Sequence, residues 1–283
     1  MDRFLLVAFT LFMQFSMTSA YAKRILLASQ FSLIPISEAH RILGQASRPE
    51  FKSESIKVLI WNIKKGQEKG LDKDLHKLGS DRDLVMLSEG YGKPSVLNMF
   101  KSFKGFAWDF GVSFLYKKDN NYPTGTLIGS NVEATEVRVT HSPDLEPIIQ
   151  TPKAITMGKY PVQASNKELL VISVHGINLA DHDSFVRHMG QAFEEIDRHD
   201  GPVIFGGDFN TRTKKRLEHL FRETLKRGFQ SVDFVNGHKR SKGITPHYLD
   251  WTFIKGLKVK NPKVIPVKSS DHMPMLLEVG IEK

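Results

Sequence analysis

The chain has 283 residues, with 40 lysines and arginines, 31 aspartates and glutamates, and no cysteine. The absence of cysteine excludes disulfides, thiolate metal sites and a cysteine nucleophile, so a metal would have to be held by carboxylates, amides and histidines. These ligands suit a hard cation, which we expect to be Mg²⁺, with Mn²⁺ and Ca²⁺ as alternatives. The formal net charge of +9 favours a polyanionic partner such as nucleic acid, or an anionic membrane surface.

Residues 1–22 have the composition of an export signal. Arg3 gives a basic start, residues 4–15 are mostly apolar, and Ala20 and Ala22 form a small-residue cleavage site. An uncleaved membrane anchor is the alternative, but a membrane span needs about 20 apolar residues. We therefore expect a protein that is exported to a periplasm or secreted.

The predicted elements begin after a lead-in segment at residues 23–55, in which we expect one short helix around residues 38–43. From residue 56 the sequence IKVLIWN predicts a strand, Leu71, Leu75 and Leu78 predict a helix, and DLVMLSE predicts a second strand. Further strands are predicted at residues 112–116, 124–131, 153–162, 168–178, 202–210, 247–254 and 274–279. Helices are predicted between residues 182 and 200 and at residues 217–225. With no repeat or linker to divide it, the stretch 56–283 is predicted to be one mixed α/β domain.

Polar residues that can do chemistry stand at the ends of five of these apolar runs, in IWN, LSE, VHGIN, GGDFN and SSDH. Buried strands that finish in such residues deliver them to one edge of a sheet on a rigid support. We therefore predict one shared site, built from Asn62, Glu89, His175, Asp208, Asn210, Asp271 and His272.

Each of these motifs has a simpler structural explanation when taken alone. Asp208 and Asn210 would point the same way on an extended backbone, but they could also form an Asx turn that caps the next helix. Asp271 and His272 are adjacent, so both can serve one site only in a loop conformation. His175 alone would more often be a hydrogen-bonded structural histidine.

The combination favours hydrolysis of a phosphate ester. Carboxylates and an amide can hold one hard cation, which withdraws charge from a phosphoryl oxygen. Imidazoles can activate water or protonate a leaving group near neutral pH. The sequence has no glycine-rich nucleotide loop, serine nucleophile elbow or HExxH zinc helix.

In this order, the motifs WN, SE, VHGIN, GGDFN, LDW and SDH resemble those of the endonuclease/exonuclease/phosphatase superfamily. That superfamily includes DNase I, exonuclease III-type enzymes, bacterial sphingomyelinases and inositol polyphosphate 5-phosphatases. The resemblance covers residues 56–279, and the pattern is most similar to small bacterial proteins of the YafD type. It implies an α/β fold of the DNase I type, a four-layer αββα sandwich of two packed mixed β-sheets flanked by helices.

The resemblance also implies a metal-binding group. Glu89 resembles the principal metal ligand, with Asn62 beside it. Asp271 resembles a residue that assists the metal or the neighbouring imidazole.

The catalytic roles follow from the same resemblance. Asp208 resembles the residue that orients or deprotonates the attacking water, and Asn210 the amide that holds the scissile phosphate. His272 resembles the essential imidazole, with Asp250 as its carboxylate partner. His175 resembles the second histidine of DNase I and the sphingomyelinases, and Glu146 is expected to be its carboxylate partner.

The leading hypothesis is a divalent-metal-dependent nuclease or phosphodiesterase that acts by attack of activated water. It is motivated by the two histidines, the export signal and the positive charge. Two basic clusters follow the site motifs and could form a phosphate-binding rim, although each could also be a solvated face: Lys64, Lys65 and Lys69, and Lys214, Lys215 and Arg216.

Two alternatives belong to other classes of function. A sphingomyelinase-like or inositol-phosphate-type phosphoesterase would act on membrane lipid or on a small molecule. Phe106, Trp108 and Phe110 could form an apolar membrane-docking face, but their spacing favours the buried side of a strand. A non-catalytic binding protein on the same fold is the other alternative.

Overall fold

The computed structural model describes residues 29–241 and 246–282, so the predicted export signal lies outside the described residues. The strands of this part of the chain are β1 (Phe31–Ser32), β2 (His40–Gly44), β3 (Ile56–Asn62), β4 (Leu84–Tyr91), β5 (Ala107–Tyr116), β6 (Tyr122–Ser130), β7 (Glu136–His141), β8 (Ala154–Tyr160), β9 (Leu169–His175), β10 (Val203–Asp208), β11 (Gln230–Ser231), β12 (Asp250–Lys255), β13 (Leu257–Val264) and β14 (Met275–Ile281). Its α-helices are α1 (Leu71–Gly79), α2 (Pro94–Lys101), α3 (His182–Arg198) and α4 (Lys214–Lys226).

The strands form two mixed sheets. The eight-stranded sheet has the order β1-β5-β6-β4-β3-β14-β13, with β2 also paired to β5, and the six-stranded sheet has the order β11-β12-β10-β9-β8-β7. Strands β3 and β4 are parallel, as are β9 and β10. Parallel neighbours need a crossover connection, which α1 and α3 provide, and the other sheet pairings are antiparallel.

Both faces of each sheet are covered, which explains why the central strands are apolar almost throughout. On β3, Val58 and Ile60 point into the core between the sheets, whereas Leu59 and Trp61 point outward under α1 and α2. On the other sheet, α3 and α4 cover the outer face with side chains such as Phe185 and Leu220. The resulting layers are helix, sheet, sheet and helix, which confirms the predicted αββα sandwich.

The prediction of a helix around residues 38–43 is wrong. Residues Ile36–Glu38 form one 3₁₀ turn, and β2 then pairs antiparallel with β5. Hydrogen bonding to the backbone of β5 outweighs the local preference of this segment for a helix. The two strands are also joined by side chains, because His40 Nε2 lies 2.8 Å from Asp109 Oδ1. The described part of the predicted lead-in therefore packs onto the domain, and Phe51 is fully buried between the sheets.

Several other elements differ in extent from the prediction. Strand β5 begins before residue 112, and Phe106, Trp108 and Phe110 are all buried, as their spacing favours. Helix α4 exists, but Leu225 is 74% exposed. Strands β7 and β13 and helix α2 were not predicted. Across the two described ranges, no helix has the length and apolar character to cross a membrane.

Candidate active site

The register of the strands brings the predicted site residues to one end of the sandwich. In the six-stranded sheet, Asp208 at the end of β10 lies beside His175 of β9 and Asp250 of β12. Across the core, Asn62 ends β3 in the eight-stranded sheet, and its Nδ2 donates to Asp208 Oδ2 over 3.0 Å. One hydrogen bond therefore joins the two sheets at the site.

Asp208 is almost completely buried, with 3% of its surface exposed. Its Oδ2 lies 3.8 Å from His272 Nε2 and 3.9 Å from His175 Nε2. Burial raises the pKa of Asp208 to about 6, although the nearby His272 imidazole opposes this rise. The group is thus ionised at neutral pH and close to its titration range.

The GGDFN motif forms the Asx turn of the structural alternative, with Asn210 in a left-handed conformation. The φ of Asn210 is +52°, so the backbone is not extended, and its N–H donates to Asp208 Oδ1 over 3.0 Å in an Asx turn. The turn does not cap the next helix, because Thr213 accepts from the Arg216 N–H instead. The Asn210 side chain donates to the Gly176 carbonyl over 3.0 Å, which holds its amide at the site.

His272 and Asp250 form the pair that the sequence predicts. His272 Nδ1 lies 2.8 and 3.0 Å from the two Asp250 oxygens, which directs Nε2 toward Asp208. Burial would lower the pKa of His272, but the carboxylates of Asp250 and Asp208 raise it to about 10. A protonated imidazole is therefore held next to an ionised carboxylate.

Asp271 does not join the other predicted metal ligands. Its side chain is 60% exposed and lies 3.8 Å from Lys64 Nζ, with no hydrogen bond or ion pair to Asn62 or Glu89. The cause is the loop before β14: Ser270 Oγ accepts from the His272 N–H and donates to the Asn62 carbonyl, which turns His272 inward. Its neighbour Asp271 then faces outward.

Glu89 lies at an irregularity of β4, where the register with β6 shifts between Leu87 and Gly90. Its φ is +55°, a conformation that is costly for a residue other than glycine and that re-aims its side chain. Glu89 Oε1 lies 3.4 Å from Asn62 Nδ2, and Oε2 forms an ion pair with Lys65. Burial would raise the pKa of Glu89, but the charge of Lys65 holds it well below its usual range.

His175 is buried at the end of β9, 3.9 Å from Glu89 Oε1. Burial, assisted by the charge of Lys153, holds the pKa of His175 well below its usual range, so the ring is neutral. The predicted pairing with Glu146 is wrong. Glu146 Oε1 instead accepts from the Asn178 N–H over 2.9 Å and lies 3.6 Å from Lys153 Nζ, because its loop folds onto the segment after β9.

Among the described residues, two groups of side chains are candidates for binding a cation. Asp208, Asp250 and His272 place ligand atoms within 4.8 Å of one another, but the imidazole is already bonded to Asp250. Glu89 offers an ionised carboxylate, which suits a hard divalent ion. The Asn62 amide beside it turns its NH₂ group toward Glu89, and its Oδ1 accepts from the Lys64 N–H. The chemistry of the Glu89 carboxylate therefore fits the predicted metal.

Two residues of the basic clusters, Arg216 and Lys65, are already bound to other groups of the protein. Arg216 is buried and donates to the carbonyls of Ile177, Ala180 and Asn210 at 2.7–3.1 Å, so it joins the loops after β9 and β10. Lys65 is bound to Glu89. These two roles were missed because a lysine or arginine in a charged run gives no sequence signal for its partner.

Most of the chain is similar to known proteins. A family model described as "Endonuclease/Exonuclease/phosphatase family" matches residues 59–272. A UPF0294 protein of Erwinia tasmaniensis is 28% identical over 234 residues, which make up 82% of this chain and 84% of that protein. This similarity confirms the predicted likeness to YafD-type proteins.

Solved structures show the same fold. The endonuclease/exonuclease/phosphatase from Beutenbergia cavernae aligns with a TM-score of 0.60 at 13% identity, over 81% of this chain and 72% of that one. ANGEL2, described as a 2′,3′-cyclic phosphatase, aligns with a TM-score of 0.62 at 12% identity, over 81% and 96% of the two chains. At these identities the likeness concerns the fold alone.

Proposed function

Because the chain belongs to the endonuclease/exonuclease/phosphatase family, whose members are phosphoester hydrolases, we propose that it is a divalent-metal-dependent phosphodiesterase that uses activated water. The observation that carries this proposal is the buried line of Asp250, His272 and Asp208. A fixed imidazole that faces a second carboxylate is an arrangement suited to proton transfer and to stabilising negative charge.

In the proposed reaction, the oxygen of a water molecule attacks phosphorus and the ester P–O bond breaks. Asp208 accepts the proton of this water, since it is ionised at neutral pH and has a raised pKa. The protonated His272 stabilises the charge that builds up on the phosphoryl oxygens, and Asp250 fixes its orientation. Asn210 offers an amide to the phosphate from the turn after β10.

Glu89 would hold the divalent ion, with the Asn62 amide beside it. When bound, such an ion withdraws charge from the phosphoryl group and stabilises the leaving oxyanion. Mg²⁺ is the proposed ion, with Mn²⁺ and Ca²⁺ as alternatives.

The test is a screen of the protein against bis-p-nitrophenyl phosphate, plasmid DNA, RNA, sphingomyelin and inositol phosphates, with Mg²⁺, Mn²⁺ or Ca²⁺ in turn. The Asp208→Asn variant is the blank for each substrate. Hydrolysis above this blank supports the proposal and identifies the substrate. No hydrolysis above it with any substrate or ion would contradict the proposal and favour a binding protein.

Nucleic acid is the first proposed substrate. It is supported by the net charge of +9 and by Lys214 and Lys215, which are exposed at the start of α4, soon after Asn210. Arg216 does not support a nucleic-acid substrate, because it is buried and bonded to backbone carbonyls. We expect nicking of plasmid DNA that weakens as the salt concentration rises, whereas salt-independent nicking would contradict an electrostatic rim.

A lipid phosphodiester is the second candidate, and one structural feature favours it. Leu145, Ile148 and Leu179 are 36%, 48% and 52% exposed on loops next to the site. The two loops touch, because Glu146 accepts from the Asn178 N–H. Co-sedimentation with liposomes that is lost in Leu179→Ser would support this candidate, and no binding to liposomes would count against it.

We also propose that the protein is exported to a periplasm or secreted, on the basis of residues 1–22. Fractionation of cells that produce the full chain is the test. Recovery in the cytoplasm at full length would contradict export.

A further inference from the structure

The ion pair between Lys65 and Glu89 is an unusual feature of the proposed metal site. The two side chains are only 23% and 21% exposed, so their charges are partly removed from water. The ammonium lies on Oε2 of the carboxylate that the proposed function assigns to a divalent ion. Lys65 also interacts with the phenol of Tyr116 at the end of β5.

The backbone holds both partners in conformations that L-residues adopt at a cost. Lys64 and Lys65 have φ values of +47° and +56°, and Glu89 has +55°. Such strain persists only where the surroundings impose the conformation. Asn62 helps to impose it, because its Oδ1 accepts from the Lys64 N–H over 3.0 Å.

Gly66 fixes the end of the same turn. Its φ is +69°, and a Cβ at this position would lie 2.7 Å from a methyl group of Val96. The Gly66 N–H donates to the Ile63 carbonyl over 3.0 Å. The turn is thus tightly packed, and it presents Lys65 to Glu89 as a built part of the site.

An ammonium and a divalent cation on the same carboxylate repel each other strongly in a partly buried site. We propose that Lys65 is the resident counter-ion of Glu89 and that a divalent ion binds only by displacing it. This inference rests on the proposed function in one respect, namely that Glu89 holds the metal. Binding of the ion is then an exchange of one cation for another, and Lys65 lowers the affinity of the site.

The test is titration calorimetry of the full chain with MnCl₂ in the absence of any substrate. In Lys65→Met the competing charge is gone, so we expect binding tighter than in the wild type by about tenfold or more, since an unpaired, partly buried carboxylate is costly. Lys65→Arg keeps the charge and is expected to retain roughly wild-type affinity. Lys64→Met is the matched control, because Lys64 pairs with Glu68 and Asp271 and its charge acts on Glu89 only weakly, so we expect a smaller change than in Lys65→Met.

The outcomes separate the two proposals. Equal or weaker Mn²⁺ binding in a folded Lys65→Met variant contradicts the exchange and leaves the proposed function standing. No Mn²⁺ binding in either the wild type or Lys65→Met contradicts both the exchange and metal dependence. If Lys65→Met does not fold, Lys65→Gln gives the same comparison.

Discussion

At the scale of single residues, Asp208 and His272 face each other over 3.8 Å with opposite charges at neutral pH. Burial raises the pKa of the Asp208 carboxylate and the charge of Asp250 adds to this rise, whereas His272 and the hydrogen bonds from Asn62 and Asn210 oppose it. Asp208 is thus poised to take up a proton, whereas Glu89 stays ionised beside Lys65. The two carboxylates therefore differ in their proposed roles: Asp208 accepts a proton, and Glu89 holds the metal.

The rate is expected to depend on pH through Asp208. A carboxylate that accepts a proton from water must be ionised, so lowering the pH through about 6 should lower kcat/KM, by about tenfold per pH unit at the acid end. Asp208→Asn should lose about 10²- to 10⁴-fold in kcat at all pH values. A rate that does not change between pH 7 and pH 5, measured with bis-p-nitrophenyl phosphate, would contradict this role.

Asp250 is expected to set the pKa of His272. The Asp250 carboxylate raises that pKa, so Asp250→Asn should lower it by at least about one unit in an NMR titration of the imidazole. Asp271→Asn is the matched control, because Asp271 is exposed and should shift the titration less. Equal shifts in the two variants would show that Asp250 is not the main partner.

Residues at the ends of buried strands could be predicted from the sequence, because the register of neighbouring strands fixes their positions. Asn62, His175 and Asp208 belong to this group, whereas Asp250 followed only from the resemblance. Residues in loops were less predictable, because a loop can turn a side chain either way. Glu146 lies in a loop and takes other partners than expected, and Asp271, also in a loop, lies apart from Asn62 and Glu89 but helps to raise the pKa of His272.

At the scale of elements, helix α4 joins the site through the buried Arg216, whereas Lys214 and Lys215 at its start stay exposed. The Arg216 guanidinium also lies 5.0 Å from the centre of the Phe185 ring of α3. It thereby connects both helices of this layer to the loop that follows His175 and to the loop that contains Asn210. A phosphate ligand would have to compete with these carbonyl bonds.

Arg216→Met should therefore act on stability before it acts on substrate binding. Four backbone carbonyls lose their donor, so we expect the free energy of unfolding to fall by about 3 kcal/mol in urea titrations. Lys215→Met, an exposed neighbour, should change it by less than about 0.5 kcal/mol. Wild-type stability of Arg216→Met combined with weaker DNA binding would instead restore the phosphate-rim hypothesis.

Long, periodic elements were predictable and short or edge elements were not. Helices α1 and α3 bury leucine and phenylalanine side chains at regular spacing. Helix α2 has only eight residues, and β7 has a mixed pattern of burial at a sheet edge. Strand β2 exists only because β5 pairs with it, which no local pattern reveals.

At the scale of the whole molecule, the segment before β3 helps to close the sandwich. Phe51 is fully buried, its ring lies 5.5 Å from that of Tyr160 in β8, and its backbone bonds to Pro161 and Gln163. It thus joins the N-terminal segment to the six-stranded sheet. The αββα architecture itself followed from the resemblance, since strand patterns alone do not tell how two sheets pack.

Phe51→Ala should destabilise the whole domain. Loss of a buried aromatic ring leaves a cavity, so we expect the free energy of unfolding to fall by about 3–5 kcal/mol in urea titrations. Leu33→Ala, in the same segment but 55% exposed, is expected to have little effect. A small effect of Phe51→Ala would show that the N-terminal segment is only a peripheral addition.

The central claim is that a divalent ion at Glu89 assists phosphodiester hydrolysis by the Asp208 and His272 centre. The most direct measurement is the rate of bis-p-nitrophenyl phosphate hydrolysis by the wild type and Glu89→Gln, first in EDTA and then along a Mg²⁺ or Mn²⁺ titration. We predict that EDTA abolishes wild-type hydrolysis, that added metal restores it, and that Glu89→Gln remains inactive at concentrations that saturate the wild type. Equal wild-type rates in EDTA and in metal, or full activity of Glu89→Gln, would contradict the claim.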